Sequence, residues 1–452
     1  MHRYLLNLLY ATALCVALPW LGYRAITTNK YRRGWLQKIF GWAPRNQHAE
    51  KCIWLHAVSV GEVNLLAPVI QRLQASCPDV PLAISTTTRT GFELALKKYP
   101  RIQSFYFPFD FSWAIRNAIA RVRPRLLVLA ELEIWPNLIQ QCGRDSIPIG
   151  VINGRLSEHS FRGYQRLIRW VRPAFAGLDF VLAQNCEYAE RFAALGVAPE
   201  KLQIVGSVKF DGANTDRSNS KSAHLAQLAG IQPADQVWLA GSTQAPEEAF
   251  AIETFKQLSP RYPQLKLLIV PRHPERFDAV ARMLDQSGLT WQRRSQLSDT
   301  PTATVEAKKQ PNKVLLVDTV GELSAWWGTS QIAFVGGSFG SRGGQNMIEP
   351  AAYGAAVSFG PNTKNFRDIV AMLLDRNAAV RVNSQTELYA FVERCLRDHV
   401  FAEELGVNAR EAVLDQQGSA DTTNRLLLEA LHKHSGAHIS KHERSDGAKQ
   451  VA

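Results

Sequence analysis

From about residue 50 the chain alternates short, nearly continuous apolar runs with longer stretches whose apolar residues recur every three or four positions. The runs 52–58 (CIWLHAV), 81–87, 125–130, 147–152, 179–183 and 202–205 read as strands, and 62–76, 90–98, 111–122 and 185–195 as amphipathic helices. Continuous apolar strands separated by helices predict parallel sheet covered on both faces. The segment 211–222 (DGANTDRSNSKS) is polar almost throughout and predicts a linker over 211–225. The alternation then resumes, with strands at 236–240, 265–270, 313–317 and 331–335 and helices near 245–258, 274–287, 346–353 and 364–375. This pattern is α/β: two doubly wound Rossmann-like domains, 29–210 and 226–433, facing a cleft, with ligands expected at the carboxyl ends of the strands. The polar segment 434–452 predicts a disordered tail.

The first 28 residues follow a different pattern. Between Tyr4 and Tyr23 the only polar breaks besides tyrosine are Asn7 and Thr12. Twenty helical residues span about 30 Å, the thickness of a hydrocarbon core, which predicts an N-terminal membrane anchor over 1–28. Pro19 falls inside the run, so shallow insertion and a full span both remain open. One basic residue precedes the run and six follow it closely, a bias that keeps the body cytoplasmic.

Charge sharpens this reading. Of a formal net charge of +12, the first 49 residues carry +7 and no acidic side chain, leaving +5 for the remainder. The excess is gathered beside an apolar helix and not spread over an aromatic-rich face, which favours an anionic membrane surface over nucleic acid. Six scattered cysteines with no CxxC pair argue against a disulfide framework and a thiolate zinc site, and no dispersed carboxylate set suggests a metal.

Candidate chemistry lies just beyond the strands. His56-Ala57-Val58-Ser59-Val60-Gly61-Glu62 leaves the first strand and enters a helix, placing Glu62 in the first turn. There it suits a general base, or a carboxylate that merely complements the helix dipole; the dipole favours ionisation, so a base needs burial or a second carboxylate as offset. Glu131 and Glu133 follow the strand 125–130, where buried carboxylates are costly unless they meet ligand or partner charge. Lys209 follows 202–205. In the second half, Pro271-Arg272 offers a planar donor fork for phosphate, and Asp318 through Glu322 end another strand. Gly336-Gly337-Ser338 is glycine-rich, suited to bringing backbone N–H groups to an anion, and Asn346 to Glu349 open the helix that follows.

Ten ordered motifs carry a resemblance: HAVSVGEV (56–63), TTTRTG (86–91), ELEIWPNL (131–138), NGRLS (153–157), GSVKFD (206–211), PRHPERF (271–277), DTVGEL (318–323), FVGGS (334–338), GGQNMIEPAAYG (343–354) and GPNTKNF (360–366). Together with Tyr31-Arg32-Arg33 after the apolar run, they resemble the 3-deoxy-D-manno-octulosonic acid (Kdo) transferases of lipopolysaccharide biosynthesis. The resemblance implies a GT-B glycosyltransferase, monotopic at the cytoplasmic face of the inner membrane. It implies CMP-Kdo as donor, the 6'-hydroxyl of lipid IVA as acceptor, inversion at the anomeric carbon and no metal requirement. By the same resemblance Glu62 is the general base, and Glu131 and Lys209 assist the transition state. Pro271, Arg272, Val320, Gly321, Glu322, Asn346, Met347, Ile348 and Glu349 bind CMP. One departure stands out: the family's S-T-H segment reads Ser242-Thr243-Gln244 here, which keeps hydrogen bonding but removes a cationic option.

Overall fold

The computed structural model describes residues 2–28, 34–297 and 313–446; Tyr31-Arg32-Arg33 and the end of the tail, 447–452, lie outside them. The chain divides into two units, residues 1–212 with 417–452, and residues 213–416. Each is built on a seven-stranded, wholly parallel sheet.

The first sheet comprises β1 (Cys52–His56), β2 (Leu82–Thr86), β3 (Gln103–Tyr106), β4 (Pro124–Ala130), β5 (Ile149–Gly154), β6 (Phe180–Ala183) and β7 (Leu202–Ile204), in the order β3-β2-β1-β4-β5-β6-β7. β1 is buried at every position and β4 at all but one, as expected of central strands covered on both faces. Strand order reverses between β1 and β4, where the loops after the two strands diverge to opposite faces and open a crevice. The second sheet comprises β8 (Gln236–Thr243), β9 (Leu265–Pro271), β10 (Trp291–Arg293), β11 (Val314–Leu316), β12 (Ile332–Val335), β13 (Ala356–Phe359) and β14 (Ala379–Arg381). Its order is β10-β11-β9-β8-β12-β13-β14, with the reversal between β8 and β12.

Three expectations need correction. The linker is not structureless: Ser220–Leu228 is a helix, started by the Asn219 side chain, which accepts from the Ser222 N–H. The C-terminal segment does not belong wholly to the second domain. Helix Ser419–Asp446 is part of the first unit, where Ala420, Leu426, Leu427 and Leu431 enter the same core as Ile53, Leu66 and Ile70. Asp211 ties its start by accepting the N–H groups of Gly418 (2.7 Å) and Ala420 (3.0 Å). That helix also runs through most of the segment expected to be a disordered tail.

The N-terminal run is helical over His2–Thr28, but no helix among the described residues is long and apolar enough to cross a membrane. Asn7 is buried against the first unit: its Nδ2 donates to Ser112 Oγ (2.8 Å) and its Oδ1 accepts the Ser112 N–H (3.0 Å). Leu5, Leu8, Leu9 and Val16 are exposed. Of the two polar breaks, Asn7 is the docking point, whereas Thr12 is exposed and donates to Leu8 O of its own helix (2.9 Å).

Candidate active site

In the first unit the carboxyl ends of β1 and β4 bring three carboxylates to the strand reversal, and the loop after β7 adds a lysine. Ser59 is the N-cap of helix Val60–Ser76 and Glu62 lies three residues on. The Glu62 carboxylate reaches back to accept the Val58 N–H (2.7 Å) and the Ser59 hydroxyl (3.1 Å). Both bonds stabilise the ionised form, yet the group's pKa is raised, because burial outweighs them and the charge of Glu131 adds to it; Lys209 pulls the other way. The two offsets that a base at a helix N-terminus requires are therefore both present.

Glu131 sits at φ 61°, in the left-handed region that a side chain adopts at a cost, immediately after β4. Its N–H bonds to Ile152 O (3.0 Å), holding the strained residue onto β5, and its Oε1 meets Lys209 Nζ at 2.7 Å. Lys209 is positioned in turn by Asn153, a fully buried residue also at positive φ (53°), whose Oδ1 accepts from Ser207 Oγ (3.0 Å) and the Val208 N–H (3.2 Å). The NGRLS and GSVKFD motifs are thus one device: the first holds the loop that presents the lysine.

Glu133, two residues further, accepts from Trp135 Nε1 (3.0 Å). Burial and the charges of Glu62 and Glu131 push its carboxyl up to about 7. Behind it lies His56, wholly buried, stacked on Phe107 and driven down to about 3 by desolvation, so the ring is neutral. Sequence reasoning singled out Glu131 and Glu133 together but missed His56, whose place at the end of an apolar strand gave no sign of the acid beside it.

In the second unit Arg272 is exposed at the end of β9, its backbone N–H bonded to Thr243 O (3.0 Å). Partial burial and the charge of Arg342 lower its pKa, while Glu349 raises it. Arg342 is therefore a second guanidinium near the first, in the glycine-rich loop but absent from the residues singled out above. Glu349 accepts from Asn346 Nδ2 (3.0 Å), and its pKa is raised by burial, against the pull of Asn346, Ser324 and Arg272. Asn346 Oδ1 accepts the Ile348 N–H (3.1 Å), fixing the 346–349 turn. Met347, Ile348 and Pro271 are buried, so what they offer a ligand is chiefly backbone.

Glu322 is fully engaged: Arg294 binds it through two nitrogens at 3.1 Å each, Thr319 Oγ1 donates at 2.7 Å and Trp326 Nε1 at 3.2 Å. Its side chain shapes the Asp318–Glu322 loop, leaving Val320 exposed and Gly321 at φ 95° to present backbone.

The glycine-rich loop differs from expectation. The N–H groups of Gly337 (2.7 Å), Ser338 (2.8 Å) and Phe339 (2.9 Å) are aimed at one anion, but that anion is the protein's own Glu247. The same carboxylate accepts the Gln244 N–H at 2.8 Å, linking the loops after β8 and β12 across the strand reversal. The helix after the loop, Ile348–Ala352, has only five residues, too few for the helix-end field expected there. In this half the exposed cationic groups are left as the main attraction for an anion. A groove of about 490 Å³ in the same unit is lined by Arg217, Tyr353 and Arg410 and by none of these residues. Arg217 Nε there is committed to Tyr353 O.

Residues 33–212 match the family model described as 3-Deoxy-D-manno-octulosonic-acid transferase (kdotransferase). Over 430 residues the chain is 31% identical to the 3-deoxy-D-manno-octulosonic acid transferase of Haemophilus influenzae, spanning 94% of this chain and 98% of that one. It is 35% identical over 339 residues to the enzyme of the same name from Bordetella pertussis, spanning 73% and 76% of the two chains. Among solved structures, the UDP-GlcNAc 2-epimerase of Neisseria meningitidis bound to UDP-GlcNAc aligns with 85% of this chain and 100% of its own. The TM-score is 0.55 at 14% identity, a likeness of fold alone. The two parallel-sheet α/β domains resemble in fold those of the GT-B glycosyltransferases.

Proposed function

Because this chain belongs to the 3-deoxy-D-manno-octulosonic acid transferase family and is a glycosyltransferase, we propose that it moves Kdo from CMP-Kdo to the 6'-hydroxyl of lipid IVA, with Glu62 as the general base. The observation that carries this reading is the state of Glu62: a half-buried carboxylate with a raised pKa, beside the Glu131–Lys209 pair at the strand reversal.

The acceptor hydroxyl attacks the anomeric carbon of Kdo as the bond from that carbon to the CMP phosphate oxygen breaks. Its proton passes to Glu62, and CMP leaves from the opposite face, so a single displacement inverts the centre. The second unit holds the donor. Arg272 and Arg342 face the phosphate, where negative charge grows as CMP departs, and Glu349 with the 346–349 turn takes the ribose. Glu131 and Lys209 act as a unit: the lysine offsets negative charge while the acid keeps the lysine's ammonium in place.

The membrane part of the reading rests on the first helix. Docked by Asn7, it turns Leu5, Leu8, Leu9 and Val16 outward, suiting a helix that lies in the headgroup region of the inner membrane's cytoplasmic face. The acid-free basic segment adds attraction to anionic lipid.

The test is product mass spectrometry with CMP-Kdo and lipid IVA, run beside a panel of UDP-sugars. Glu62→Ala is expected to abolish transfer while CMP still binds. Near-normal turnover by that variant removes Glu62 as the base, and transfer from a UDP-sugar in place of CMP-Kdo removes the donor assignment.

A further inference from the structure

Glu133 has no part in the mechanism above, yet it faces the base, a neutral histidine and a tryptophan N–H. We propose that Glu133 is a positioning residue that carries the proton of a coupled carboxylate pair, sheltered by His56, and so leaves Glu62 ionised to act as base. This rests on the assignment of Glu62 as base.

The geometry begins with His56. Its Nε2 has no hydrogen-bond partner although wholly buried, an arrangement that normally costs about 1–3 kcal/mol. The nearest carboxylate oxygen is Glu133 Oε2 at 4.0 Å, beyond hydrogen-bond length but within reach of a small turn of the carboxyl. On the other side of the ring, Nδ1 lies 3.1 Å from Ser85 O and 2.9 Å from Ser85 Oγ. Trp54 Nε1 donates to that hydroxyl oxygen at 2.7 Å, which leaves the hydroxyl's own proton available to Nδ1.

Ser85 thus serves either neutral tautomer. A protonated Nδ1 donates to the carbonyl; a bare Nδ1 accepts from the hydroxyl. Nε2 is correspondingly free to be acceptor or donor. Facing a protonated Glu133 it accepts; facing an ionised one it donates. In neither case does the ring become charged, which its burial forbids.

No similar arrangement protects a proton on Glu62. The Val58 N–H and the Ser59 hydroxyl both favour its charged form. The groups that face Glu133 are Glu62 from helix Val60–Ser76, Glu131 from its own loop, His56 from β1 and Tyr164 from helix Glu158–Arg166. None is a cation, since Lys209 is paired with Glu131. When one proton is held by two neighbouring carboxylates, it rests where fewer hydrogen bonds favour the charged form, and Glu133 accepts one, from Trp135, against two on Glu62. That place is Glu133.

The experiment is the pH profile of kcat/KM for transfer from CMP-Kdo to lipid IVA between pH 5 and 9. In the unaltered protein, Glu133 ionises near 7 and its new charge strengthens Glu62 as a base, so the profile rises a second time by about threefold. Glu133→Gln keeps the acceptor toward Trp135 but cannot ionise; its profile is expected to lose the second rise. His56→Phe keeps the stack on Phe107 and removes Nε2, so the proton moves to Glu62 and the acid limb shifts to higher pH. Adding Glu133→Gln to His56→Phe is expected to bring the limb back, a rescue that a purely packing role does not give. If His56→Phe fails to fold, Glu133→Gln decides alone. A second rise that persists in Glu133→Gln overturns the proposal, as does a loss of transfer at every pH in that variant with CMP still bound. Both outcomes are distinct from failure of the base assignment, which Glu62→Ala reports separately.

Discussion

Lys209 Nζ stands 2.7 Å from Glu131 Oε1, and the two residues are 78 positions apart in sequence. Glu131 reaches this contact from a left-handed backbone conformation and Lys209 from a loop held by Asn153. Backbone strain on one side and a buried asparagine on the other both serve one ion pair, which is the mark of a site and not of a surface contact.

Replacing Lys209 by methionine tests that pair. Turnover is expected to fall about 100- to 1000-fold if the ammonium stabilises charge in the transition state. The pH profile supplies a second readout. Lys209 holds the Glu62 pKa down, so its removal lets that pKa rise further, and a base is lost below its pKa. The acid limb of kcat/KM should therefore move to higher pH, and a Lys209→Met profile with an unmoved limb separates the lysine from the base.

Glu247 makes a different prediction. Its carboxylate accepts four backbone N–H groups from the loops after β8 and β12. Glutamine has one acceptor oxygen, and its amide group would oppose the remaining N–H donors. Glu247→Gln is expected to cost about 3 kcal/mol of stability and to weaken CMP binding through the loosened loop. Thermal denaturation with CMP titration measures both, and an unchanged melting temperature argues that the loop holds itself.

Arg272 and Arg342 are expected to share the donor's phosphate. Arg272→Gln and Arg342→Gln should each raise the CMP dissociation constant about tenfold or more, the value of a charge-assisted hydrogen bond to phosphate. Calorimetry with CMP and with cytidine separates the phosphate from the base. Equal losses for both ligands place the arginine elsewhere than on phosphate.

Much of the first unit was readable because polar residues at the ends of apolar strands have little reason to be there except a site. Glu62 and Glu131 follow buried strands, Lys209 follows a largely exposed edge strand, and all three converge. β13 and β14 were missed because AVSF and AVR are too short for periodicity to speak. Glu247 was missed for a subtler reason. An acid in the first turn of a helix is ordinary chemistry, and nothing local shows that its partners are amides some 90 residues away. The glycine-rich loop reads in sequence as a cradle for a ligand anion, and sequence does not reveal that the anion is the protein's own. Residues 417–433 were assigned to the wrong unit because proximity along the chain was the only guide; Leu426 and Leu427 fill a core laid down nearly 400 residues earlier.

That last feature bears on how the chain is made. Synthesis delivers the unit containing Glu62 first, up to Gly212, but its core still lacks Ala420, Leu426, Leu427 and Leu431. The whole second unit, one uninterrupted segment, emerges and can fold in the meantime. The part made first is thus the part completed last. A polypeptide broken off near residue 416 would keep Arg272, Arg342 and Glu349 while leaving the half that holds Glu62 with an open apolar face.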